Sequence, residues 1–538
     1  MLRPMRRVVW ALGIALSSIQ LSVACGGSSD DDGGGGTSTG GTGGTGATAT
    51  GGGAGSGGSG GTSGSGGVAG SGGSAGVDAS SGGSDAGSDA APDVSLDGPA
   101  DAPADAPIDV VSDATAVEID FDPTSIAASA SSFPSGIQAG DVTWGGAVLW
   151  TYYAGTSPLR VRVYKPGSGG KVSLYHESVV TPSADGYVHV DVPALPPHTE
   201  LSYVFLEGTA PAFSGRSAVG RVVTAPLPGQ KPVVRFGGTS CTSNGKAPFP
   251  PLEKAGAEKL DFFILAGDTT YNDSATSLSQ YRAKWLGQLG QATYRSLLSS
   301  TGHFATWDDH EVDNDWNPET FDKTRLANAT QTFFEHLPIR RDGVSPNRIW
   351  RSYSWGSTLE VFVLDSRSER KPSTASGPNA QYLSPAQMAW LKSGLSSSPA
   401  TFKIVVTSVP ITNMPALWDL YAIDRWEGYP AARKDLLDHI TGKGIKGVLF
   451  VSGDFHLGAS AAVEPSGAAA SLREVLMGPG GQDANVLWNT LPSSQFEFKT
   501  GTNNYVSFVA DPNATPPTIK VTFVDGGGSK LFEKTYAF

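Results

Sequence analysis

The sequence predicts an α/β domain built on a mixed sheet and preceded by an all-β segment. Two observations predict this fold class. From about residue 232 onward, short apolar runs alternate with amphipathic segments of helical length. Before that, residues 116–228 contain runs rich in β-branched and aromatic residues, separated by Gly, Pro and Ser turns. This second pattern is typical of a fibronectin-like or immunoglobulin-like β-sandwich.

The first residues are predicted to be an export signal. Three arginines precede an apolar run over residues 8–19, which is too short to span a bilayer. Residues 21–25, Leu-Ser-Val-Ala-Cys, are similar to a bacterial lipoprotein cleavage site. We therefore interpret residues 1–25 as a signal peptide and expect a lipid on Cys25. Both general secretory and twin-arginine export stay open.

Residues 26–115 are predicted to be a disordered tether. They consist almost entirely of Gly, Ser, Thr, Ala, Pro and Asp, which offer few side chains large enough to bury. Asp recurs at every fourth position in the second half, which indicates an extended, self-repelling spacer. The net charge of −13 lies mainly in this segment. No basic face remains that would predict nucleic-acid binding.

Residues 232–538 are predicted to form one domain. The expected helices span residues 251–260, 278–289, 323–337, a segment that begins at Ser384-Pro385, and 432–440. The expected strands span residues 233–236, 262–265, two runs within 350–365, 402–409, 448–452, 505–510 and 518–524. The last two strands are expected to form a hairpin.

Residues that commonly bind metals follow several of these strands. In chain order they are Cys241, Asp268 with Tyr271 three residues later, Asp308 with Asp309, and Asp454 with His456. Because the carboxyl ends of parallel strands meet at one edge of a sheet, we expect these side chains to converge. The sequence therefore predicts a metal site at that edge.

These motifs resemble the PhoD-like alkaline phosphatases of the metallophosphoesterase superfamily. The resemblance is carried by Cys241, by Trp307-Asp308-Asp309-His310-Glu311, by Gly453-Asp454-Phe455-His456, and by Leu149-Trp150-Thr151 in the amino-terminal segment. It covers about residues 130–538. It implies a metallophosphoesterase-type mixed β-sandwich flanked by helices, with the family's amino-terminal sandwich before it. The chain departs from the family pattern around Tyr271, at residues 269–270 and 272–273.

Two metal sites are expected. Cys241, Tyr271, Asp268 and His456 offer a thiolate, a phenolate, a carboxylate and an imidazole, a set that suits Fe(III), as the resemblance also implies. The second site takes hard oxygen donors and suits Ca(II) or another divalent ion. Its expected ligands are Asp268 as a bridge, Asp309 and Asp454, with Asp308 and Asp365 as possible additional ligands.

Three residues are assigned catalytic roles by hypothesis. Asp268 joins the two metals, His310 orients phosphate or protonates the leaving group, and Arg367 stabilises charge on the phosphate oxygens. The predicted function is an exported phosphohydrolase that cleaves phosphate monoesters or diesters with a metal-activated hydroxide at a two-metal centre.

The expected partners are a phosphate ester and, through Cys25, a membrane. We expect a monomer at the cell surface or in the periplasm, or a secreted one if Cys25 carries no lipid. The alternative hypothesis is a surface-displayed binding module whose metal site is structural or vacant.

Overall fold

The computed structural model describes residues 115–341 and 343–538, apart from the side chains of residues 419–421. The predicted signal peptide, Cys25 and the tether up to residue 114 lie outside the described residues. Within the described ranges, no helix has the length and apolar character that crossing a membrane requires.

The secondary structure alternates strands and helices after an all-β beginning. The strands are β1 (Val117–Asp120), β2 (Ile137–Gly140), β3 (Ala147–Tyr152), β4 (Leu159–Pro166), β5 (Lys171–Val180), β6 (Tyr187–Val192), β7 (Glu200–Thr209), β8 (Ala212–Arg216), β9 (Gly220–Val223), β10 (Val234–Thr239), β11 (Phe262–Ala266), β12 (Gly302–Thr306), β13 (Arg351–Trp355), β14 (Leu359–Val363), β15 (Phe402–Val406), β16 (Val448–Ser452), β17 (Gly458–Ala462), β18 (Arg473–Leu476), β19 (Phe496–Thr500), β20 (Asn504–Asp511), β21 (Thr518–Asp525) and β22 (Lys530–Ala537). The α-helices are α1 (Pro250–Ala257), α2 (Leu278–Leu289), α3 (Ala292–Ser300), α4 (Lys323–His336), α5 (Pro385–Ser397) and α6 (Pro430–Gly442). Short 3-10 helices span Pro123–Ser125, Asn244–Lys246, Pro372–Thr374, Ala416–Asp424, Trp426–Gly428, Ala468–Ser471 and Trp488–Thr490.

Two mixed sheets form the centre of the fold. A nine-stranded sheet has the order β22-β21-β20-β10-β11-β12-β2-β3-β6, in which β10, β11 and β12 run parallel. A seven-stranded sheet has the order β13-β14-β15-β16-β18-β17-β19, in which β14, β15, β16 and β18 run parallel. The predicted mixed α/β architecture is confirmed.

The two sheets pack face to face through a shared apolar core. Phe262 of β11 packs on Trp355 of β13 with ring centroids 4.8 Å apart, and Phe304 of β12 stacks on Tyr353 at 3.8 Å. Helices α1 to α4 cover the outer face of the nine-stranded sheet, and α5 and α6 cover that of the seven-stranded sheet. The layers therefore run helix, sheet, sheet, helix, with apolar side chains removed from water at each boundary.

The strands of the predicted amino-terminal sandwich divide between two sheets. β1, β4, β5 and β7 to β9 form a six-stranded sheet, whereas β2, β3 and β6 extend the nine-stranded sheet beyond β12. The reason lies in β3, which is buried on both faces: Leu149 joins the core between the sheets, and Trp150 joins the layer under the helices. A separate immunoglobulin-like domain is not confirmed, and the domain boundary near residue 230 stays a prediction.

Side chains of these amino-terminal strands also cap a helix of the later part of the chain. The Trp150 indole Nε1 donates to the Glu335 carbonyl at 2.7 Å, and the Gln138 amide donates to the His336 carbonyl at 3.1 Å. The last carbonyl groups of a helix have no partner within the helix, so these contacts satisfy the end of α4.

The predicted helices are confirmed with small shifts in their ends. The sequence did not predict α3. The segment Ala292–Ser300 is short and rich in Thr and Ser, which gives it a weak helical propensity. Its buried Tyr294, Leu297 and Leu298 pack into the layer under the nine-stranded sheet. Tertiary packing therefore stabilises a helix that local propensity does not predict.

Candidate active site

Parallel strands from both central sheets deliver the predicted ligands to one place. β10 ends at Thr239, two residues before Cys241, and β11 ends at Ala266, two residues before Asp268. In the same way β12 ends two residues before Asp308, and β16 ends two residues before Asp454. This spacing follows from topology, because each chain turns away from its sheet just beyond the last paired residue.

The backbone at these turns is left-handed. Cys241, Asp268, Asp454 and His456 have φ angles of 55°, 54°, 66° and 48°. Such a conformation costs a residue other than glycine roughly 1 kcal/mol or more. Non-glycine residues held in this region cluster at functional sites, where the surrounding structure maintains the strain.

Three overlapping groups of side chains have ligand atoms within 4.8 Å of one another, and all the residues involved are buried. The groups are Cys241 with Asp268 and His456, Asp268 with Asp309 and His310, and Asp268 with Asp308, Asp309 and Asp454. Asp268 belongs to all three groups. It therefore occupies the position from which one carboxylate can serve two cations.

Tyr271 lies between the first two groups. Its hydroxyl is 3.2 Å from His456 Nε2 and donates to Asp268 Oδ2 at 3.4 Å. Its ring stacks on that of His310, with centroids 3.9 Å apart. The sulfur of Cys241, the phenol of Tyr271 and the imidazole of His456 therefore share one pocket around Asp268.

Burial and crowding shift the pKa values of the carboxyl groups in this pocket. Burial, with the charges of neighbouring carboxylates, raises the pKa of Asp268 and of Asp454 well above the usual range. Burial would also raise the pKa of Asp309, but Arg367 and His310 outweigh it and lower that pKa. A further positive charge beside Asp268 and Asp454, such as that of a bound cation, would lower these two pKa values and favour the carboxylate form.

Burial and neighbouring charges also shift the pKa values of the thiol and of the two imidazoles. Burial, followed by the charge of Asp268, raises the pKa of the Cys241 thiol, whereas burial and His310 lower the pKa of His456 to about 3. His456 is therefore neutral at physiological pH, the state in which an imidazole binds a metal. For His310, burial opposes the charged ring, but Asp309 and Asp268 outweigh it and raise the pKa well above its ordinary value.

Arg367 lies among the carboxylates with no exposed surface. Its Nε donates to Asp308 at 2.5 Å, and its Nη1 donates to Asp424 at 2.5 Å. Its Nη2 lies 3.6 Å from Asp309 and 3.8 Å from Asp454. The buried guanidinium therefore contacts these carboxylates on their protein side. This geometry fixes the positions of the carboxylates.

Asp365 belongs to none of the ligand groups found among the described residues. It accepts hydrogen bonds from the Trp307 indole at 2.9 Å and from the backbone N–H groups of Arg367 and Ser368. Its contacts fix the turn that carries Arg367. Asp308, the other possible additional ligand, does join a ligand group.

Glu311, the last residue of the Trp307-Asp308-Asp309-His310-Glu311 motif, is a buried carboxylate whose contacts the sequence did not predict. It accepts hydrogen bonds from the backbone N–H groups of Asp268, Thr269 and Asp308, at 3.1, 2.5 and 2.8 Å. It therefore joins the turn after β11 to the turn after β12. Asp424 was also missed, because no motif surrounds it and only the fold brings it to Arg367.

The donor set fits cations. Asp308 Oδ2 and Asp309 Oδ1 are buried and accept no hydrogen bond from the described residues, although Arg367 Nη2 lies 3.6 Å from Asp309 Oδ1. Leaving buried carboxylate oxygens without a donor or counter-ion is costly, and buried charges in proteins are paired or coordinate metals. Soft and hard donors also fall into different groups: Cys241 and His456 share a group with Asp268, and Asp308, Asp309 and Asp454 share another with it.

Solved structures share this architecture. The structure is similar to that of PhoD, with a TM-score of 0.62 and 22% identity over 74% of this chain and 92% of that chain. It is also similar to a purple acid phosphatase from yellow lupin (Lupinus luteus) seeds, with a TM-score of 0.54 and 13% identity over 75% of this chain and 73% of that one. At these identities, both similarities concern the fold.

Sequence comparison identifies the family. The model of the PhoD-like phosphatase matches residues 236–485, and the model of the family's amino-terminal domain matches residues 120–226. The chain belongs to the PhoD-like phosphatase family. Alkaline phosphatase D of Bacillus subtilis (strain 168) is 27% identical over 384 residues, which cover 60% of this chain. The match spans 64% of the length of that relative.

Proposed function

We propose that this chain is an exported, metal-dependent hydrolase of phosphate esters, an alkaline phosphatase or phosphodiesterase. The observation that carries the proposal is the grouping of Cys241, Asp268 and His456 next to a second group of buried carboxylates that shares Asp268. Membership of the PhoD-like phosphatase family supports the same activity.

Two cations would be held in this pocket. Cys241, Tyr271, His456 and Asp268 would hold Fe(III), and Asp268, Asp308, Asp309 and Asp454 would hold Ca(II) or another divalent ion. When bound, the two cations supply positive charge that attracts the phosphate group and lowers the pKa of a water molecule, so that it can attack phosphorus.

The protein side chains supply orientation and a proton. Arg367 holds Asp308 in place through its Nε and lies close to Asp309 and Asp454. His310 is buried beside Asp268 and Asp309. Burial opposes a charge on its ring, but the charges of Asp309 and Asp268 outweigh burial and raise the pKa of His310 well above its ordinary value. These carboxylates favour the protonated ring, which would donate its hydrogen to the departing ester oxygen.

The site of action follows from the amino-terminal sequence. The basic and apolar leader and the lipoprotein-like segment ending at Cys25 support export and a lipid anchor. The substrate is a phosphate ester outside the cytoplasm, either a monoester or a diester. We expect the enzyme to act as a monomer.

Chromogenic substrates test the function. Purified protein, loaded with iron and calcium, is expected to hydrolyse a nitrophenyl phosphate monoester, diester or both. Asp268→Asn should reduce kcat by a factor of about 100 or more, because it removes the carboxylate shared by both groups. Asp438→Asn, on the exposed face of α6, is the matched control and should retain full activity. Metal-loaded protein that is inert toward both ester classes would contradict the proposal and favour a binding module.

A further inference from the structure

Exposed apolar side chains occur on two segments that adjoin the pocket around Asp268. Leu417, Ile423 and Val486 are 51%, 49% and 74% exposed. The other large apolar side chains that are exposed in the described part of the chain are all valines. Leu417 and Ile423 differ from these, because exposing a larger apolar side chain to water costs more free energy. Apolar side chains exposed close together indicate a surface that a ligand or a partner covers.

Both segments are connected directly to residues of the pocket. Ile423 precedes Asp424, the carboxylate that accepts a hydrogen bond from the buried guanidinium at the site. Val486 follows Asn485, whose backbone N–H donates to the His456 carbonyl at 3.1 Å. Each segment therefore has an exposed apolar side chain one position away from a residue that contacts the site.

The two segments also pack on each other and on the turn after β16. The Trp418 indole donates to the Thr490 hydroxyl at 3.2 Å, and its ring stacks on that of Phe455 with centroids 5.3 Å apart. Phe455 lies between two candidate ligands in the sequence. Leu417, Ile423 and Val486 therefore belong to one surface beside the ligands, which we call the apolar wall.

The base of the apolar wall is fixed by packing and by a buried arginine. Met414, Trp418, Phe455 and Leu491 belong to one buried apolar cluster. The Arg425 guanidinium lies 5.5 Å from the centre of the Phe455 ring and donates to the Trp418 carbonyl at 2.8 Å. The apolar wall therefore has the rigid support that a binding surface requires.

The turn after β12 borders the same pocket with acidic side chains. The backbone N–H of Asp315 donates to Asp309 at 2.7 Å, and Asp315 is exposed. Asp313, two residues earlier, is 28% exposed and pairs with Arg325. Covering a carboxylate with an apolar group removes its water without replacing the hydrogen bonds. The apolar part of a ligand in this pocket is therefore bound more favourably by the apolar wall than by this turn.

We propose that the apolar wall binds an alcohol group of the phosphate ester, and that the enzyme prefers esters whose alcohol is an alkyl or aryl group. The inference rests on the proposed function, which assigns the phosphate group to the cations and leaves the rest of the substrate to the wall. Each methylene group that is fully removed from water strengthens binding about fourfold. A wall that covers one side of a short alkyl chain is therefore expected to give a preference of about tenfold.

Calorimetric titration with alkylphosphonates measures this preference without catalysis. The carbon–phosphorus bond of a phosphonate is not cleaved by ester hydrolysis. Metal-loaded wild-type protein should bind hexylphosphonate about tenfold more tightly than 2-hydroxyethylphosphonate. The triple variant Leu417→Asn, Ile423→Thr, Val486→Thr should bind the two phosphonates with affinities within about twofold of each other. Equal affinities of the wild-type protein for the two phosphonates would overturn the proposal.

A control variant tests whether the effect belongs to the apolar wall. Val179→Thr is matched, because Val179 is 61% exposed and lies on β5 of the six-stranded sheet. It should keep the wild-type preference for hexylphosphonate. A preference that persists unchanged in the triple variant would overturn the proposal. Equal phosphonate affinities in wild type, with weaker adsorption of the triple variant to phosphatidylcholine vesicles, would also overturn it and would indicate a membrane contact.

Nitrophenyl diesters extend the test to turnover. A hexyl and a 2-hydroxyethyl diester share the nitrophenolate leaving group, so they differ only in the group offered to the wall. The triple variant should raise KM for the hexyl diester about tenfold and lower kcat by less than about threefold, because the wall binds substrate and transition state alike. A fall in kcat at unchanged KM would overturn the proposal.

The remaining outcomes separate this inference from the proposed function. If the enzyme hydrolyses only monoesters, the two phosphonates serve as competitive inhibitors of nitrophenyl phosphate hydrolysis, and their inhibition constants should differ by the same factor of about ten. If the wild-type protein hydrolyses no ester, the proposed function fails. The calorimetric comparison then still decides whether the apolar wall binds an alkyl group beside a phosphonate.

Discussion

The Nε hydrogen of Arg367 is donated to Asp308 inside the protein, where neither side chain is more than 1% exposed. The same guanidinium bonds to Asp424 and lies near Asp309 and Asp454. One buried cation thus compensates part of a cluster of buried anions. Metal binding, local stability and the position of the ligands are therefore expected to depend on one another in this pocket.

Replacing Arg367 tests this dependence. Arg367→Met leaves the buried carboxylates without their counter-charge and should lower the free energy of unfolding of metal-free protein by about 3 to 5 kcal/mol. Loading with iron and calcium should recover part of that loss. Denaturant unfolding with and without metals measures both values. The control Lys434→Met, at an exposed ion pair on α6, should change stability little. Equal effects of the two substitutions would contradict the role of Arg367.

Glu311 should matter to both stability and rate. Glu311→Gln replaces one acceptor oxygen by an amide N–H group that opposes backbone donors of Asp268, Thr269 or Asp308. We expect a loss of about 2 kcal/mol in the free energy of unfolding. We also expect a lower kcat, because two ligand-bearing turns lose their common acceptor. Denaturation and steady-state kinetics measure the two effects, and a variant with wild-type values in both would refute this role.

The buried His336 predicts a dependence of stability on acid. Burial lowers the pKa of His336 to about 3, while the unfolded chain takes up the proton near the ordinary value of 6.5. Above pH 6.5 both states are neutral at this residue and it contributes nothing to pH dependence. Between pH 6.5 and 3 the unfolded state binds more protons, so stability falls as pH falls.

The slope from this one residue should reach about 1.4 kcal/mol per pH unit between pH 6 and 4. His336→Gln should remove that part of the slope, although the variant is less stable overall because Tyr187 and Thr332 lose their contacts with the ring. Urea denaturation at several pH values measures the slope. Parallel stability curves for wild type and His336→Gln would show that His336 does not cause the loss.

The amino-terminal strands should unfold together with the rest of the described chain. Trp150→Phe removes the hydrogen bond to Glu335 and should cost about 1 kcal/mol, whereas Trp150→Ala also leaves a cavity and should cost about 3 to 5 kcal/mol. Both variants should unfold in one transition, because β3 is a member of the nine-stranded sheet. A separate early transition, moved alone by these substitutions, would indicate an independent amino-terminal domain.

The sequence predicted the residues at the ends of the strands better than the long-range contacts that hold those residues in place. Asp268 and Asp454 follow uninterrupted apolar runs, so their place at a sheet edge could be inferred from local pattern. Asp424 and Glu311 act through contacts that the fold creates, with a guanidinium 57 residues away and with backbone N–H groups up to 43 residues away. The membership of β3 in the nine-stranded sheet was not predicted for the same reason. The apolar residues Leu149 and Trp150 indicate that both faces of β3 are buried, but they do not indicate which elements cover those faces.

The central claim is that Cys241, Tyr271, His456 and the carboxylates around Asp268 hold two cations where parallel strands of both central sheets end. Anomalous diffraction from crystals of metal-loaded protein, measured on either side of the iron absorption edge, tests it most directly. We predict an iron peak bonded to the Cys241 sulfur and the Tyr271 oxygen, with a second cation on the far side of Asp268 among Asp308, Asp309 and Asp454. Metal-loaded crystals with no peak in this pocket, or with iron bound elsewhere, would contradict the claim.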